Sequence, residues 1–494
     1  MIAARSTLLG LVAALFYAVV SLIRYWHFHA GLDLAIFDQA VAGYAAGHMP
    51  YSDIKAQAPF NLLGDHFSPI VAVLAPLYRL WPHVELLLIA QAALFGLSVV
   101  LITQIARRSH DALASVLIGS AYALSRGVVD SVTFDFHEVA FAAPLVIWAI
   151  DSISRKRTWQ AAGACVLLLL VKEDSAFLLV GIGLWLLFER RWRLGITYAI
   201  AGTVAFCVLI YLIIPVFSFY GRYTYLDSTS IGATGVADSL SLFVANARNR
   251  VVSAEFVTMV AALLLPTVGR CFLSPILLVA VPGLAARLAM TNEAYVSLGM
   301  QYNATVSAIV FLAAIDSRWR GLAVLSPFRT VAGKAVLIPA WLRKHAWPAT
   351  AVGLAIKALY LLPPSALVVS AAWSCDSCAA AAAAVHAVPD GSDVAADTRL
   401  MSHLTDRTRV RLLNPSFTDS VGQPLQVDYV IADVSTPGRF GLVTRLVASG
   451  EYSRLVDDEP FVVLVRSRSL RRIHARSRHT RPLTPRWITR VGPT

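Results

Sequence analysis

The first long polar segment of the chain, residues 32–69, carries many of the side chains that could take part in chemistry. Its candidate groups are the carboxylates of Asp33, Asp38 and Asp65, the imidazole of His66 and the amide of Gln39. Groups of these types can act as a general base, orient a hydroxyl group or bind a divalent metal. This segment therefore holds candidates for both catalysis and ligand binding.

Two further polar clusters follow in the chain, and both adjoin long apolar runs. They consist of Asp135, His137 and Glu138, and of Lys172, Glu173 and Asp174. Ionisable groups near or within a bilayer are costly unless they pair with one another or serve a function. We expect the three clusters to open on the same side of a membrane and to surround one cavity, in which the lysine provides a cation for a phosphate.

Structural roles are the alternative for the same residues. Lys172 could form an ion pair with Glu173 or Asp174 at a helix end, and His66 and His137 could be interfacial side chains. Asp33 could cap a helix that begins near Leu34. Asp38 lies inside that helix and has less structural reason to be an acid.

The composition places these residues in a polytopic membrane protein. The chain is 57% hydrophobic and 15% charged, with a mean hydropathy of +0.64, which is outside the range of soluble domains. The net charge of +12 falls largely in loops beside apolar runs and in the arginine-rich end of the chain. Because membrane topology and lipid contact account for it, we do not expect nucleic-acid binding.

The apolar runs predict about eleven membrane spans within residues 1–372, separated first by a large outer loop at 24–83. Each run is long enough, or nearly so, to cross the hydrocarbon with its backbone bonds satisfied. Residues 321–346 fit either a cytoplasmic linker or a poor span. The predicted spans are 7–23, 84–106, 111–126, 138–153, 159–172, 175–189, 195–217, 252–267, 271–287, 303–317 and 347–372.

Clusters of arginine and lysine fall on alternate loops, which the positive-inside rule assigns to the cytoplasm. This count places the 32–69 segment and everything after residue 372 on the outer face of a plasma membrane. Residues 373–465 contain short strand-like runs at 394–397, 410–413, 427–433 and 461–465, with helical stretches between them, and predict a small α/β domain. Residues 466–494 are rich in arginine and proline and predict a disordered tail.

Several ordered motifs resemble a bacterial family of predicted membrane proteins known as domain of unknown function 2079. They are G-x-D-x-x-x-F-D-Q at 31–39, G-x-H-F-S-P at 64–69, A-P-L-Y at 75–78, D-F-H at 135–137, K-E-D at 172–174, R-Y-x-Y-L at 222–226 and Q-Y-N-A at 301–304. The segments S-D-V-A-A-D and D-Y-V-I-A-D near the end are similar to the same family. The resemblance covers roughly residues 25 to 465.

That family is similar in turn to the type C fold glycosyltransferases, which take a sugar from a polyprenyl-phosphate carrier on the outer face of a membrane. The resemblance implies an acid of the first outer loop as base or metal ligand, a role that we assign to Asp38 with Asp33 as the second choice. A divalent metal is left open, with Asp38, Asp65 and His66 as its candidate ligands, because the D-x-D pattern of those enzymes is absent. The residues expected to bind the substrate and the lipid phosphate are Lys172, His66, His137, Gln39, Asp135, Glu173, Asp174, Arg222 and Tyr302.

The expected reaction is a single inverting displacement, with an envelope glycan, lipid or protein as acceptor and the bilayer as the medium of the donor. Transport or flipping of a lipid-linked or polar solute is the main alternative, because intramembrane ionisable groups also serve translocation. An envelope assembly protein without catalysis is the third. No inverted repeat is visible, and the polar clusters all fall on one predicted side, which favours the transferase.

Overall fold

The computed structural model of the chain is mostly helical and describes residues 2–56, 59–228, 236–316, 340–362, 365–369, 373–419 and 422–468. It divides into two compact units. The membrane unit comprises Met1–Ser52 and Ala58–Cys375, and the C-terminal unit comprises Asp53–Gln57 and Asp376–Thr494. Most of the ambiguous 321–346 segment and the predicted disordered tail from residue 469 onward lie outside the described residues.

Sixteen labelled helices of the described part belong to the membrane unit, and most of them overlap the predicted apolar runs. They are α1 (Ile2–Trp26), α2 (Leu32–Ala45), α3 (Ala75–Leu80), α4 (Glu85–Ala106), α5 (Ala112–Ala123), α6 (Arg126–Thr133), α7 (Val139–Ser154), α8 (Thr158–Leu169), α9 (Ala176–Phe188), α10 (Trp192–Val208), α11 (Ile214–Phe217), α12 (Val236–Val251), α13 (Ala254–Leu264), α14 (Val281–Ala289), α15 (Ala304–Asp316) and α16 (Ala340–Leu361).

Four helical segments of the described part are long and apolar enough to cross a membrane, and two bent pairs raise the number to six. The four are Ala4–Trp26, Glu85–Ala106, Trp192–Phe217 and Glu293–Asp316. Several other apolar helices, such as α7 and α8, fall short of the roughly 20 residues that a perpendicular crossing needs. The chain is therefore a helical membrane protein with at least these candidate spans.

The first span packs closely against α4 through glycines. A Cβ atom on Gly96 would lie 2.6 Å from the Cβ atom of Ala14 and 2.7 Å from the carbonyl oxygen of Gly10. Small residues allow helix backbones to approach in this way inside a bilayer. Further along α1, the Tyr17 hydroxyl donates to the carbonyl of Ala123 at 2.8 Å. These contacts hold α1 so that the polar segment after it begins at a defined place.

A buried ion pair in α6 fixes the loop that precedes α15. The Arg126 guanidinium donates to Asp130 through Nε at 2.9 Å, and both residues are almost completely buried. Asp130 also accepts from the backbone N–H of Gly299 at 3.0 Å and from the Ser365 hydroxyl at 3.1 Å. A buried charge must be paired in this way to be tolerated. The pair thereby holds the backbone that presents Gln301 and Tyr302 to the site described below.

The C-terminal unit contains a five-stranded sheet with three helices, α17 (Cys378–His386), α18 (Thr398–Met401) and α19 (Arg439–Ala448). The strand order is β2-β1-β3-β5-β4. β1 pairs in parallel with β2 and β3, whereas β5 pairs antiparallel with β3 and β4. The strands are β1 (Asp393–Ala396), β2 (Arg409–Leu412), β3 (Tyr429–Asp433), β4 (Tyr452–Asp458) and β5 (Phe461–Arg466).

The prediction of a small C-terminal sheet domain is confirmed, and its four predicted strands correspond to β1, β2, β3 and β5. β4 was not predicted, because most of its side chains are polar or exposed and give no apolar run. Strand β4 pairs with β5 along nearly its whole length. It is the edge strand of the sheet, where charged side chains are common.

Candidate functional site

The K-E-D triplet lies in a break between α8 and α9, as the shortness of the two predicted spans indicated. Lys172 has an extended backbone, and Glu173–Ser175 form a single 3₁₀ turn. Because the backbone changes conformation between these residues, the three adjacent side chains are not confined to one helix face. Lys172 and Glu173 each have their own partners, and Asp174 is exposed.

Glu173 is the anchor of the first polar loop. Its carboxylate accepts from His66 Nδ1 at 2.6 Å, from the backbone N–H of Phe67 at 3.0 Å and from the Tyr223 hydroxyl at 2.9 Å. Burial alone would raise the pKa of Glu173, but the charge of His66 and its hydrogen bond outweigh this and lower the pKa to about 2. The Tyr225 ring stacks on His66 with 4.3 Å between ring centroids. The R-Y-x-Y-L segment is thus tied to the first loop through Glu173 and His66.

Four ionisable side chains form a continuous series, which we call the charge chain: Lys172, Glu138, His137 and Asp33. Lys172 Nζ lies 3.1 Å from Glu138 Oε1, Glu138 Oε2 lies 2.6 Å from His137 Nδ1, and His137 Nε2 lies 3.3 Å from Asp33 Oδ2. The Asp33 side chain is 33% exposed, whereas Lys172, Glu138 and His137 are buried. The charge chain therefore runs from a buried lysine to a partly exposed acid.

Neighbouring groups hold the middle of the charge chain in place. Gln91 accepts from the backbone N–H of His137 at 3.0 Å, and the Gln301 amide lies 3.0 Å from His137 Nε2. Burial would lower the pKa of His137, but the Glu138 and Asp33 carboxylates reverse this and raise it to about 9. His137 is therefore held as a cation between two carboxylates at neutral pH.

Asp135 fixes the start of the first loop. Its Oδ1 accepts from the backbone N–H of Gly31 at 2.7 Å, and a Cβ atom on Gly31 would lie 2.7 Å from Oδ2. Burial raises the pKa of Asp135 to about 6, although the hydrogen bond from Gly31 partly opposes this. The D-F-H motif therefore supports the site through Asp135 and belongs to the charge chain through His137.

A cavity lies beside these groups in the membrane unit. Its charged lining consists of His66, Lys172, Glu173, Asp174 and Arg287, and tyrosines 223, 225, 295 and 302 surround them. The remaining wall is apolar and includes Val139, Phe177, Leu178, Phe206, Leu284, Val306 and Ile309. One cavity thus joins a charged, hydroxyl-bearing lining to an extended apolar one.

Arg287 is a cavity cation that the sequence did not identify. Its Nη1 donates to Asn303 Oδ1 at 3.0 Å, Nη2 donates to the carbonyl of Tyr302, and the guanidinium lies over the Tyr302 ring. In the sequence it is a single arginine at the end of the apolar run 271–287, a position typical of an interfacial anchor. Its preceding run lies opposite α9, with Gly181 against the backbone of Val279, but this packing is not visible in the sequence.

Asp174 is the cavity acid with the fewest direct contacts. Its carboxylate makes no hydrogen bond or ion pair with any residue that the structure describes, and it is exposed to the cavity. Lys172 and Arg287 act on it electrostatically. Asp174 is therefore placed to bind hydroxyl or other donor groups of a ligand.

The predicted catalytic residue Asp38 lies elsewhere. It is completely buried, it accepts from the Tyr78 hydroxyl at 2.7 Å, and it does not line the cavity. Asp33 lies in the first turn of α2, whose N-cap is Gly31, so the alternative of Asp33 as the cap is wrong. Of the two acids, Asp33 is the one that joins the charge chain.

The other predicted binding residues divide between the cavity and its surroundings. Tyr302 lines the cavity. Gln39 accepts from the Ser52 hydroxyl at 2.9 Å, and Arg222 forms an exposed pair with Asp227 at 2.7 Å, so neither contacts the cavity. Within the described residues no group of three or more His, Cys, Asp or Glu side chains is arranged to hold a metal ion. The suggested ligands Asp38, Asp65 and His66 accordingly do not form such a group.

Comparisons with known proteins relate these residues to a family. No curated protein matches the chain. The model of a family described as "Predicted membrane protein (DUF2079)" matches residues 24–453. This match includes the first loop, the charge chain, the cavity and most of the C-terminal unit. The chain therefore belongs to the predicted membrane protein family DUF2079.

Proposed function

We propose that the protein is a membrane glycosyltransferase of the type C class, which transfers a sugar from a polyprenyl-phosphate donor to an envelope acceptor. In this proposal the chain has about eleven spans in the bacterial plasma membrane. The cavity and the C-terminal unit face the outside, and the acceptor is a glycan, lipid or protein of the cell envelope.

The observation that carries the proposal is the divided lining of the cavity. A polyprenyl-phosphate sugar joins an apolar tail, an anionic phosphate and a polyhydroxylated ring in one molecule. The cavity offers an apolar wall that suits the tail and two cations that suit the phosphate. Its carboxylate and tyrosine oxygens suit the hydroxyl groups of the sugar. Ligand sites commonly combine an apolar wall with a few placed polar groups in this way.

Lys172 and Arg287 are the proposed phosphate ligands. Both line the cavity, and a cation near the phosphate stabilises the charge that develops on the leaving group. Arg287 is already held by Asn303 and by the Tyr302 carbonyl, so its guanidinium is positioned before a ligand binds. Asp174 is proposed to accept hydrogen bonds from hydroxyl groups of the sugar.

Asp33 is the proposed base, in preference to Asp38. It is partly exposed, and His137 holds its carboxylate. Asp33 is not part of the cavity lining, but it lies close enough to the cavity residue Tyr302 to act on it electrostatically. Asp33 takes the proton of the acceptor hydroxyl while the acceptor oxygen forms a bond to the anomeric carbon. The bond from that carbon to the phosphate oxygen breaks, and polyprenyl phosphate leaves with the electron pair.

The experiment is a profile of envelope glycans and lipid-linked sugars in a deletion strain. The strain is complemented with wild type, Asp33→Asn or Asp38→Asn, and membrane abundance is matched for each. Because removal of a general base typically costs 10²- to 10⁴-fold in rate, Asp33→Asn should lose one glycan and accumulate its lipid-linked donor. Asp38→Asn should retain transfer, and its effect should be on the amount of folded protein.

Three outcomes would contradict parts of the proposal. Retained transfer in Asp33→Asn with loss in a folded Asp38→Asn would move the base to Asp38. An unchanged profile in the deletion strain itself would refute the transferase. Donor that accumulates on the cytoplasmic leaflet would instead support the transport alternative.

A further inference from the structure

The charge chain connects three separate elements of the membrane unit. Asp33 lies on α2, His137 and Glu138 immediately precede α7, and Lys172 follows α8. The three buried members, His137, Glu138 and Lys172, are 6%, 0% and 7% exposed respectively. Charges that are buried and in contact influence one another far more strongly than charges in water. A change of charge at one end of the charge chain should therefore alter the proton affinity of groups at the other end.

The charges alternate in sign along the charge chain, and His137 lies between the two carboxylates of Glu138 and Asp33. Three carboxylates act on His137, those of Asp33, Glu138 and Asp135. The neutral amide of Gln301 lies against the same nitrogen as Asp33, and the rings of Phe37 and Phe134 lie beside the imidazole. Glu138 links Lys172 to His137, because it contacts both of them with its two carboxylate oxygens.

We propose that Glu138 and His137 couple the charge at Lys172 to the protonation of the Asp33 end of the chain. His137 is in this sense a positioning residue, since it does not line the cavity and acts through the carboxylate of Asp33. The inference rests on the proposed function only for the identity of the anion at Lys172, and the coupling itself concerns residues of this chain alone.

The direction of the coupling follows from the contacts. The Lys172 ammonium partly neutralises Glu138. An anionic headgroup that draws the ammonium away, or cancels its charge, leaves Glu138 with His137 as its nearest cation. His137 then holds its proton more tightly, and the ion pair between His137 and Asp33 is retained to higher pH. Anion binding should consequently take up protons in the pH range in which His137 titrates. That range lies near pH 9. Burial lowers the pKa of His137, but the carboxylates of Glu138 and Asp33 raise it to about 9.

The first test needs no ligand. The full chain, carrying ¹³C-labelled histidine in lipid nanodiscs, is titrated by NMR, and the His137 signal is assigned by its loss in His137→Gln. Lys172→Met should raise the His137 midpoint by about one pH unit or more, a tenfold change in proton affinity. Lys172→Arg, which keeps the cation, should restore the wild-type midpoint and shows that the site still folds.

Arg287→Met is the matched control for this titration. It removes an equal charge from the same cavity, but Arg287 makes its hydrogen bonds to Asn303 and Tyr302 rather than to Glu138. Its effect on the His137 midpoint should be distinctly smaller than that of Lys172→Met. Equal shifts in the two variants, or no shift in Lys172→Met, would overturn the coupling.

The second test adds polyprenyl phosphate as the probe. Binding to the full chain is measured by calorimetry at pH 9 in two buffers of different ionisation heat, which gives the number of protons exchanged. A tenfold coupling predicts uptake of about 0.4 proton per ligand in the wild type and almost none in His137→Gln. The probe itself changes charge only near pH 6, so uptake at pH 9 belongs to the protein.

The outcomes separate the two proposals. Binding without proton uptake overturns the coupling and leaves the proposed donor intact. Absence of binding removes polyprenyl phosphate from the proposed function, and the histidine titration then still decides whether Lys172 and His137 are coupled.

Discussion

Replacing Glu173 with glutamine should destabilise the folded protein and reduce its sensitivity to acid. Glu173 is 1% exposed and accepts hydrogen bonds from His66, from the Phe67 backbone and from Tyr223. These donors come from the first loop and from the segment after α11. Glutamine fits the same space, but it has no charge, and its amide nitrogen cannot accept a hydrogen bond.

The magnitude follows from the ionisation of Glu173. Its pKa is lowered from an ordinary 4.5 to about 2, because His66 and its hydrogen bond outweigh the effect of burial. A difference of this size corresponds to roughly 3 kcal/mol of folding free energy at neutral pH. Since the pKa is lowered by folding, this stabilisation is complete above about pH 5, falls to roughly 1 kcal/mol at pH 3 and is lost near pH 2.

The assay is the apparent melting temperature of the purified chain in detergent between pH 7 and pH 3, at one scan rate because membrane proteins often unfold irreversibly. Glu173→Gln should melt several degrees below the wild type at pH 7, and the gap should narrow by more than half at pH 3. Asp174→Asn is the matched control, since the adjacent carboxylate makes no direct hydrogen bond to a described residue.

Two results would refute this reasoning about Glu173. One is a gap between Glu173→Gln and the wild type that stays constant from pH 7 to pH 3. The other is an equal loss of stability in Asp174→Asn, because the cost would then come from any charge change in the triplet rather than from the contacts of Glu173.

Two further substitutions test the structural assignments outside the cavity. Tyr78→Phe removes the 2.7 Å hydrogen bond to the buried Asp38 and should lower the free energy of unfolding by roughly 1 to 3 kcal/mol without loss of sugar transfer. The melting temperature and the glycan profile measure these two effects. Loss of transfer in a folded variant would indicate that Asp38 takes part in the reaction. In the C-terminal unit, Arg439→Met leaves the Asp397 carboxylate without the cation that lies 2.6 Å away and should cost roughly 3 to 5 kcal/mol. Limited proteolysis of the full chain measures this, with Arg454→Met in an exposed pair as the control, and equal resistance of the two variants would contradict the assignment.

The sequence predicted those features that depend on local patterns. Long apolar runs predicted the helices, and the shortness of 159–172 and 175–189 predicted a break at the K-E-D triplet, where the structure has an extended residue and a 3₁₀ turn. The three polar clusters also meet, since the charge chain joins the first loop, the D-F-H motif and the triplet, but they do not all surround one cavity, because Asp135, His137 and Glu138 are not part of its lining. Ionisable groups in a membrane protein have few places where they can be tolerated, so their shared location could be anticipated.

Features that depend on distant packing could not be predicted. Asp38 and Asp33 lie in one short helix, and Tyr78, the hydrogen-bond partner of Asp38, is 40 residues away in the sequence. Arg287 resembles an interfacial anchor in the sequence, and it becomes a cavity cation because the fold brings α14 beside Asn303 and Tyr302. In both cases the partner is brought in by tertiary structure, and no local periodicity records it.

The K-E-D triplet shows why three adjacent charges need not form one ion pair. In a continuous helix successive side chains point about 100° apart. A lysine followed directly by two acids would therefore gain little from pairing with them, because neighbouring side chains on a helix do not face each other. Here the helix is broken, and two of the three side chains find partners that lie far away in the chain. Lys172 pairs with Glu138, and Glu173 binds His66 and Tyr223. With its two neighbours so engaged, Asp174 is left to face the cavity. The break thus places a cation held by the charge chain, a structural anchor and an accessible acid on three consecutive residues, so that one triplet both holds the first loop and presents a carboxylate to the cavity.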